Sequence, residues 1–248
     1  MNEMDKIVAG ESEAIDSKLR RAGIPARIVS SDDTFRFHCT QCGKCCTERD
    51  DILLTPRDLF CAAKEYGLPV EGFFKSFCEI YIGSTSRLPI VRFKPRGSVR
   101  RCPMLENRRC RIQKSKPAVC AMYPVGRATE LDNDSGKLNV RYLLNDVICG
   151  DASEEHTVRG WLLESGVKVN DGYFLKWNRL LPQLHGEAQR LEKCCTDEAM
   201  VMVWELMSLL LYFRYDTSEP FDKQFDKNTG SLMTFLSRLT DSETEGEA

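Results

Sequence analysis

The sequence lacks the long apolar runs that a membrane-spanning helix requires. Such a helix needs about 18 or more consecutive apolar residues, and the most apolar window here, residues 199–213, is interrupted by Glu205 and Ser208. Residues 1–21 also lack the apolar core of a secretory signal peptide. We therefore expect a cytoplasmic protein with no part in a membrane, in which residues 199–213 form a buried helix.

Several functional signatures are missing as well. No G-x-x-x-x-G-K loop ending in Ser or Thr occurs, and no G-x-G-x-x-G follows a predicted strand, so neither a phosphate-binding loop nor a Rossmann dinucleotide site is indicated. The C-x3-C-x2-C spacing of radical enzymes is also absent. The formal net charge of −2 provides no overall attraction to nucleic acid, which we do not expect as a partner.

Histidine is scarce, with 3 residues, whereas cysteine is abundant, with 12. Closely spaced thiols form either disulfides or metal sites, and disulfide scaffolds are typical of short exported proteins. In the reducing compartment expected for this chain, thiols stay reduced. The cysteines therefore indicate metal ligation rather than a disulfide framework.

The pattern of apolar and polar residues predicts an α+β fold in four consecutive regions. Residues 1–34 are expected to form a charged helical lead-in, and residues 35–153 a cysteine-rich, metal-stapled domain of short strands and helices. Residues 154–240 are expected to form an α-helical part packed on that domain. Residues 241–248 contain four acids and no base, a composition typical of a disordered tail.

Local signals mark two elements in the cysteine-rich domain. Phe35 and Phe37 alternate with polar residues, which predicts a short strand leading directly into the first cysteine. Thr55 followed by Pro56 predicts the start of a helix, and Gly67 predicts its end.

Three later segments are predicted from weaker local start and stop signals. Residues 69–81 favour a second helix, and residues 138–145 favour a strand. Residues 98–126 are rich in turn-forming residues and show no apolar face. We therefore expect metal ligation to supply the energy that holds this middle segment in place.

The run Cys39-x2-Cys42-Gly43-x-Cys45-Cys46 has the form of a metal-binding knuckle. Two thiolates separated by two residues can bind one ion, and the glycine after the second allows backbone N–H groups to point at the sulfurs and stabilise the thiolate. Adjacent cysteines direct their side chains away from each other, so we expect Cys45 and Cys46 to serve different sites, or one of them to cap the first.

Four further cysteines lie in or beside turn-rich sequence and complete a set of eight. Eight thiols suit two four-coordinate sites, or one site with additional functional thiols. A C-x2-C-x2-C run followed by a distant Cys-Pro is typical of iron–sulfur proteins, whereas zinc sites more often use two separated pairs, so both remain candidates. The candidate ligands are Cys39, Cys42, Cys45, Cys46, Cys102, Cys110, Cys120 and Cys149.

Taken together, these motifs make residues 35–150 similar to the YkgJ-like cysteine-cluster family, the mostly prokaryotic CxxCxxCC zinc- or iron-chelating domain. The motifs are Phe37-x-Cys39-x2-Cys42-Gly43-Lys44-Cys45-Cys46, Leu53-Leu54-Thr55-Pro56-x-Asp58, Cys102-Pro103-Met104-Leu105, Cys110-x-Ile112, Lys116-Pro117-x2-Cys120-x2-Tyr123-Pro124 and Cys149-Gly150. The resemblance implies a metal-chelating domain, and for most of the family no activity is assigned. One relative with a defined activity is flagellin lysine N-methylase, which uses S-adenosylmethionine and is associated with an iron–sulfur cluster.

Three functions follow from these observations, and the sequence leaves open whether the protein is an enzyme. The first is metal binding through cysteine-ligated zinc or an iron–sulfur cluster, such as [4Fe–4S]. The second, implied by the resemblance alone, is S-adenosylmethionine-dependent methylation of lysine in a protein substrate. The third is a structural zinc module whose C-terminal helices bind a protein partner through a set of apolar residues. The alternative is that these residues belong to an ordinary hydrophobic core. They are Met200, Met202, Met207 and Leu209 to Leu211.

Two features near the cysteines have two interpretations each. His38 directly precedes the first cysteine and could be a substitute ligand or a hydrogen-bond donor to one, or an ordinary surface residue. A band of ten bases between residues 92 and 116 could offset the charge of a thiolate site or bind an anion, or could be a solvated surface. The band consists of Arg92, Lys94, Arg96, Arg100, Arg101, Arg108, Arg109, Arg111, Lys114 and Lys116.

Overall fold

Short strands and α-helices alternate along the first two thirds of the chain, and helices form the last third, which confirms the predicted α+β class. The structure is a computed structural model that describes residues 26–49, 52–131, 137–168 and 171–245. Within these residues the strands are β1 (Ala26–Val29), β2 (Thr34–His38), β3 (Leu53–Leu54), β4 (Cys78–Ile82), β5 (Pro89–Phe93), β6 (Leu105–Glu106), β7 (Arg109–Cys110), β8 (Val125–Leu131), β9 (Leu138–Asn145) and β10 (Asp151–Thr157).

The first two α-helices lie between β3 and β4, the third precedes β8, and the last four follow β10 and continue to the end of the described chain. They are α1 (Pro56–Tyr66), α2 (Val70–Phe77), α3 (Ala118–Met122), α4 (Val158–Glu164), α5 (Gly172–Cys194), α6 (Asp197–Ser208) and α7 (Phe221–Glu245). Single 3-10 turns lie at Lys44–Cys46 and Gln113–Ser115, and a π-helical turn, Leu209–Phe213, follows α6.

The chain divides into two compact units, and each unit is assembled from two separate stretches. Unit 1 comprises Met1–Cys45 and Ala118–Asp171, and unit 2 comprises Cys46–Pro117 and Gly172–Ala248. This division differs from the consecutive regions predicted from the sequence. The reason is non-local strand pairing, because β9 and β10 pair with β1 and β2 across more than a hundred residues.

Unit 1 is built on two antiparallel sheets, one ordered β1-β9-β8 and one formed by β10 and β2. Phe35 and Phe37 are buried on one face of β2, as their alternation predicts. They pack with Val125 of β8 and Leu162 of α4 in an apolar cluster. This cluster fixes the end of β2, where the cysteine run begins.

The N-terminal lead-in differs from its prediction in the part that the structure describes. Residues 1–25 lie outside the described residues, but Ala26–Val29 form strand β1 instead of a helix. This segment pairs residue by residue with β9, and Val29 is buried in the core. Sheet pairing therefore overrides the local pattern here.

Unit 2 contains the sheet β3-β5-β4, with α1 following β3. The predicted boundaries of α1 are confirmed. Thr55 and Asp58 form a capping box, in which the Thr55 hydroxyl accepts from the Asp58 N–H and the Asp58 carboxylate accepts from the Thr55 N–H. Gly67 ends the helix at φ 75°, a left-handed conformation that glycine adopts at low cost.

Two predictions for the middle of the chain are wrong. The helix predicted for residues 69–81 ends at Phe77, and Cys78–Ile82 instead form β4, paired with β5. The middle segment also has an apolar side after all, since Met104 and Ile112 are fully buried. Apolar packing therefore contributes to holding this segment, alongside any metal that its cysteines bind.

The C-terminal helices bury most of the methionine-rich set that could have formed a partner surface. Met200, Met207 and Leu211 are buried, whereas Met202 is 68% exposed. The last helix, α7, continues to Glu245, past residue 240, where the sequence predicts that a disordered tail begins. None of the helices in the described part of the chain has both the length and the apolar character to cross a bilayer.

Candidate metal centre

The cysteine run begins directly after β2 and folds into a tight turn. Gln41 and Gly43 both adopt left-handed backbone conformations, at φ 52° and 76°, and a 3-10 turn over Lys44–Cys46 follows. This path curls the backbone around the second cysteine of the run. Glycine at position 43 adopts this conformation without the strain that a side chain would add.

Cys42 has an environment that favours its thiolate. The pKa of its thiol is lowered mainly because the Lys44 N–H donates a hydrogen bond to the sulfur; the Gly150 N–H, the Thr40 side chain and the Cys149 side chain contribute further hydrogen bonds. Partial burial opposes these effects. A sulfur that accepts backbone N–H bonds in this way is a suitable metal ligand, since the thiolate is the ligating form.

Cys149 is brought to the knuckle by strand pairing. Asp151, two residues later, pairs with His38 at the end of β2. Gly150, at φ 72°, lies so close to the backbone of His38 and the ring of Phe37 that a Cβ atom at this position would overlap both. The glycine therefore allows the Cys149 segment to approach the beginning of the cysteine run.

The charges of other unit 1 thiolates affect the pKa of the Cys149 thiol. Burial raises the pKa of its thiol, a hydrogen bond with Tyr123 lowers it, and the nearby charges of Cys45, Cys42 and Cys39 raise it again. Mutual repulsion of this kind is expected where several thiolates share one neighbourhood, and a bound cation would reverse it. The structure thus brings four of the candidate ligands, those at positions 39, 42, 45 and 149, into one neighbourhood of unit 1.

Cys120 lies in the same unit, on helix α3, and is half-buried. The helix leads directly into Tyr123, whose ring packs edge-on against Phe37 at a centroid distance of 6.2 Å. The Tyr123 hydroxyl lies 3.9 Å from the Cys149 sulfur. A thiolate can only accept, so the hydroxyl donates when Cys149 is ionised.

Tyr123→Phe is expected to weaken metal binding roughly 10-fold while leaving the fold intact, because it removes a hydrogen-bond donor to a ligand, and such donors typically contribute 10- to 100-fold in affinity. Competition with a calibrated chelator measures the change. Tyr142→Phe is the matched control, since its buried hydroxyl has no hydrogen-bond partner among the described residues. An equal loss of affinity in both variants would contradict the role of the Tyr123 hydroxyl.

The remaining three candidate ligands belong to unit 2. Cys102 donates its backbone N–H to the carbonyl of Cys46 at 2.8 Å. Cys110 is the partner of Leu105 in the β6–β7 hairpin, and the Leu105 N–H donates to the Cys102 carbonyl at 3.1 Å. Backbone hydrogen bonds therefore gather the three segments that carry Cys46, Cys102 and Cys110.

Cys102 is the most buried of the predicted ligands. Burial raises the pKa of its thiol to about 11 from 9.0; hydrogen bonds from backbone N–H groups and the Arg49 charge lower it, and the Cys110 charge raises it. Without a bound cation, Cys102 therefore remains a thiol at neutral pH. Binding of a metal there would have to displace the proton.

The metal-free, reduced chain is expected to lose stability at alkaline pH because of Cys102. Its pKa is higher in the folded chain than in the unfolded chain, so its contribution is complete below pH 9 and is lost as the pH rises towards 11. We expect the free energy of unfolding to fall by about 2 kcal/mol more in the parent than in Cys102→Ala over this range. Urea unfolding at several pH values measures this difference, and identical pH dependence in the two proteins would contradict it.

The other four cysteines differ in their surroundings. Cys61 lies half-buried in α1, and burial raises the pKa of its thiol. Cys194 is exposed at the end of α5, where its sulfur bonds to the Arg190 carbonyl at 3.4 Å; Cys195 follows it. Cys78 is buried at the start of β4, and the pKa of its thiol is raised by burial and then by the charge of Cys102.

No group of three or more Cys, His, Asp or Glu side chains in the described residues is arranged around a common point as metal ligands are. The chemistry of the candidate ligand atoms nevertheless suits a metal. In unit 1 the donors are thiols, one of them with a lowered pKa and two backbone N–H bonds to its sulfur, which is the chemistry that zinc and iron–sulfur clusters require. The residues fit such a group.

The histidines near the knuckle are engaged in other interactions. His38 Nδ1 lies 2.7 Å from a carboxylate oxygen of Glu154. His156 belongs to strand β10 rather than to the predicted helix, and its Nε2 lies 3.0 Å from the carbonyl of Phe37. These contacts tie β10 to β2 beside the cysteine run, a positioning role for both histidines.

The basic band is a largely exposed surface of unit 2. Arg111 is typical: its guanidinium lies over the Tyr66 ring at 4.5 Å and pairs with Glu106 at 3.4 Å. Arg49, which lies outside the band, is the base whose charge lowers the pKa of the candidate ligand Cys102. Sequence reasoning missed Arg49 because it is close to Cys102 only through backbone pairing, in which its N–H donates to the Arg100 carbonyl.

The hydrogen bond from the Gly150 N–H to the Cys42 sulfur is a second feature of the site that was not predicted. A signal for it does exist in the sequence, because Cys149-Gly150 repeats the Cys42-Gly43 dipeptide of the knuckle. In both places a left-handed glycine follows a candidate ligand.

Comparison with known families agrees with this chemistry. Residues 38–140 match the family described as "CxxCxxCC: Putative zinc- or iron-chelating domain". The match confirms the resemblance predicted from the cysteine motifs over these residues, and it supports metal binding in general. Searches of curated proteins and of solved structures found no match to the chain.

Proposed function

We propose, on the premise that residues 38–140 match a zinc- or iron-chelating domain, that this chain binds zinc or an iron–sulfur cluster through cysteine thiolates. The proposed ligands are the eight cysteines of the sequence motifs, namely Cys39, Cys42, Cys45, Cys46, Cys102, Cys110, Cys120 and Cys149. The proposal also takes the chain to be cytoplasmic, where these thiols stay reduced.

The observation that carries this proposal is the environment of Cys42. Its sulfur accepts hydrogen bonds from the backbone N–H groups of Lys44 and Gly150, which belong to the two separate stretches of unit 1. Two distant segments thus converge to stabilise one thiolate. A thiol with only a packing role has no need of such stabilisation, and buried structural cysteines have raised pKa values instead.

The protein's own groups would hold the metal and control the charge of the site. Thiolates supply negative charge, and backbone N–H groups and the Tyr123 hydroxyl reduce it by donating hydrogen bonds. Zinc would supply structural stability at such a site, and an iron–sulfur cluster would add electron transfer.

Anaerobic purification followed by metal and sulfide analysis tests the proposal. We expect a thiolate-ligated metal in stoichiometric amount: zinc in a colourless protein, or iron with acid-labile sulfide in a brown one. The matched comparison is the double variant Cys61→Ser/Cys194→Ser, which alters two thiols outside the proposed set and is expected to retain all of the metal. A parent protein free of both zinc and iron after anaerobic purification would refute the proposed function.

The same preparation decides between the two narrower alternatives. A brown holoprotein that binds S-adenosylmethionine would favour protein-lysine methylation, and a brown holoprotein without such binding would exclude it. A colourless zinc protein would favour a structural module. Most of the apolar residues proposed to recruit a partner are buried, and only Met202 and Leu209 of this set are exposed, at 68% and 43%. The structure therefore offers little support for the partner-binding role of such a module.

A further inference from the structure

The boundary between the two units falls within the pair of adjacent cysteines. Unit 1 includes Cys45, and unit 2 begins at Cys46. The side chains of adjacent residues leave the backbone in different directions, so two neighbouring thiols seldom ligate one ion. Because the boundary lies between these two residues, the Cys45 thiol belongs to unit 1 and the Cys46 thiol belongs to unit 2.

The remaining candidate ligands divide along the same line. Cys39 and Cys42 precede the boundary, and Cys120 and Cys149 return to unit 1 in its second stretch. Pairing of Asp151 with His38 anchors that return within one residue of Cys39. Unit 1 thus contains five thiols, enough for a four-coordinate site.

Unit 2 gathers its own thiols by backbone contacts. The hydrogen bond between the Cys102 N–H and the Cys46 carbonyl, at 2.8 Å, brings these two residues side by side. The tight β6–β7 hairpin then returns the chain so that Cys110 lies opposite Leu105, whose N–H is bonded to Cys102. Three thiols are thereby collected, one fewer than a closed tetrahedral site requires.

Cys78 is placed to be the fourth. The Phe77 carbonyl accepts from the Lys94 N–H at 2.8 Å, and the Arg96 guanidinium lies 5.4 Å from the centre of the Phe77 ring. Arg96 is in turn joined to Arg101, the residue before Cys102, by two backbone hydrogen bonds of 2.8 and 2.9 Å. The chain segments carrying Cys78 and Cys102 therefore lie on either side of the same short stretch.

Burial supports this placement. Cys78 and Cys102 are 6% and 7% exposed, the two most buried cysteines of unit 2. Cys102 is also close enough to Cys78 to interact with it electrostatically. Two buried thiols that lie near each other are suited to a closed metal site.

We propose that the thiols form two separate metal centres, one within each unit, and that the centre of unit 2 is completed by Cys78 together with Cys46, Cys102 and Cys110. This inference rests on the proposed metal-binding function and goes beyond it by dividing the ligands and adding one outside the sequence motifs. The first centre draws its ligands from the unit 1 thiols, among them Cys42. The peptide bond between Cys45 and Cys46 links the two centres.

Cobalt(II) titration of the reduced, metal-free, full-length chain tests the division, because the visible absorption of cobalt reports thiolate ligation. We expect saturation at two equivalents per chain. Cys42→Ser/Cys149→Ser is expected to retain one equivalent, and Cys102→Ser/Cys110→Ser is expected to retain the other. Circular dichroism on the same samples establishes that each variant is folded, and the two equivalents in the parent remain decisive if a double variant does not fold.

Cys78→Ala tests the fourth ligand of unit 2. We expect its thiolate-to-cobalt absorption to fall by about one quarter for the unit 2 centre, as four thiolates become three. Cys61→Ala is the control, because it removes a partly buried thiol of unit 2 that lies outside the proposed centre and is expected to leave the absorption unchanged. Equal spectra for Cys78→Ala and the parent would overturn the assignment of Cys78.

The possible failures of the two proposals are distinguishable. A chain that takes up no cobalt and no zinc, and that contains neither zinc nor iron after anaerobic purification, would refute the metal-binding function itself. Saturation of the parent at one equivalent, or loss of all cobalt from a double variant that circular dichroism shows to be folded, would leave metal binding in place and overturn the division into two centres.

Discussion

Cys42→Ser is expected to release the metal of unit 1 and to lower the stability of that unit by several kcal/mol. The binding free energy of a structural zinc site is about 10–16 kcal/mol near neutral pH, and it contributes to folding because the unfolded chain has no site. A serine hydroxyl at position 42 would accept the bonds from Lys44 and Gly150 but would not ionise to replace the thiolate. Metal analysis and thermal unfolding of the anaerobically purified variant measure both effects.

Cys194→Ser provides the control for this experiment. Its thiol is exposed and bonds to the carbonyls of Arg190 and Leu191 in its own helix, an interaction that a serine hydroxyl reproduces. We expect metal content and melting temperature to stay at parental values. Equal metal content in Cys42→Ser and the parent would remove Cys42 from the ligand set.

The elements that could be predicted from sequence are those whose signals are local. The strand before Cys39 follows from the alternation of Phe35 and Phe37, and both ends of α1 follow from Thr55 and Gly67. In each case the stabilising interactions lie within a few residues: side chains on one face of a strand, a capping box, and a left-handed glycine. Tertiary contacts reinforce these signals and do not oppose them.

The elements that were predicted incorrectly depend on partners far away in the sequence. Ala26–Val29 form a strand because β9 supplies its hydrogen bonds, and Cys78–Ile82 leave the helical pattern because β5 does the same. His156 likewise belongs to a strand because β10 pairs with β2. Periodicity within one segment contains no information about such a partner, so a short apolar run can be assigned to the wrong class.

The same distinction applies to the candidate site. The cysteine spacing was sufficient to identify the donor atoms and their chemistry, since a knuckle is a local motif. The grouping of the donors depends on which strands pair, and this placed Cys149 beside Cys42 and brought Cys78 near Cys102. The helix predicted for residues 69–81 includes Cys78, and the position of this cysteine became evident only when the β4–β5 pairing was known.

Gly150→Ala is expected to have a large effect on the stability of unit 1, because two costs combine. Its φ of 72° is unfavourable for alanine by roughly 1–2 kcal/mol, and the added methyl group would overlap the His38 carbonyl and approach the Phe37 ring to 2.6 Å. We expect a total loss of roughly 3 kcal/mol or more in the free energy of unfolding. Weaker metal binding should accompany it, because the displaced backbone no longer donates to Cys42.

Gly166→Ala separates these two costs. Gly166 has the same φ of 72° and lies in the same unit, but a methyl group there would meet no atom within 4 Å. It should therefore lose only the backbone contribution, roughly 1–2 kcal/mol, and retain full metal affinity. Chemical unfolding and chelator competition on both variants measure the difference. Equal losses would mean that the close approach of the Cys149 segment to β2 does not depend on this glycine, and the geometry that unites the unit 1 thiols would need another cause.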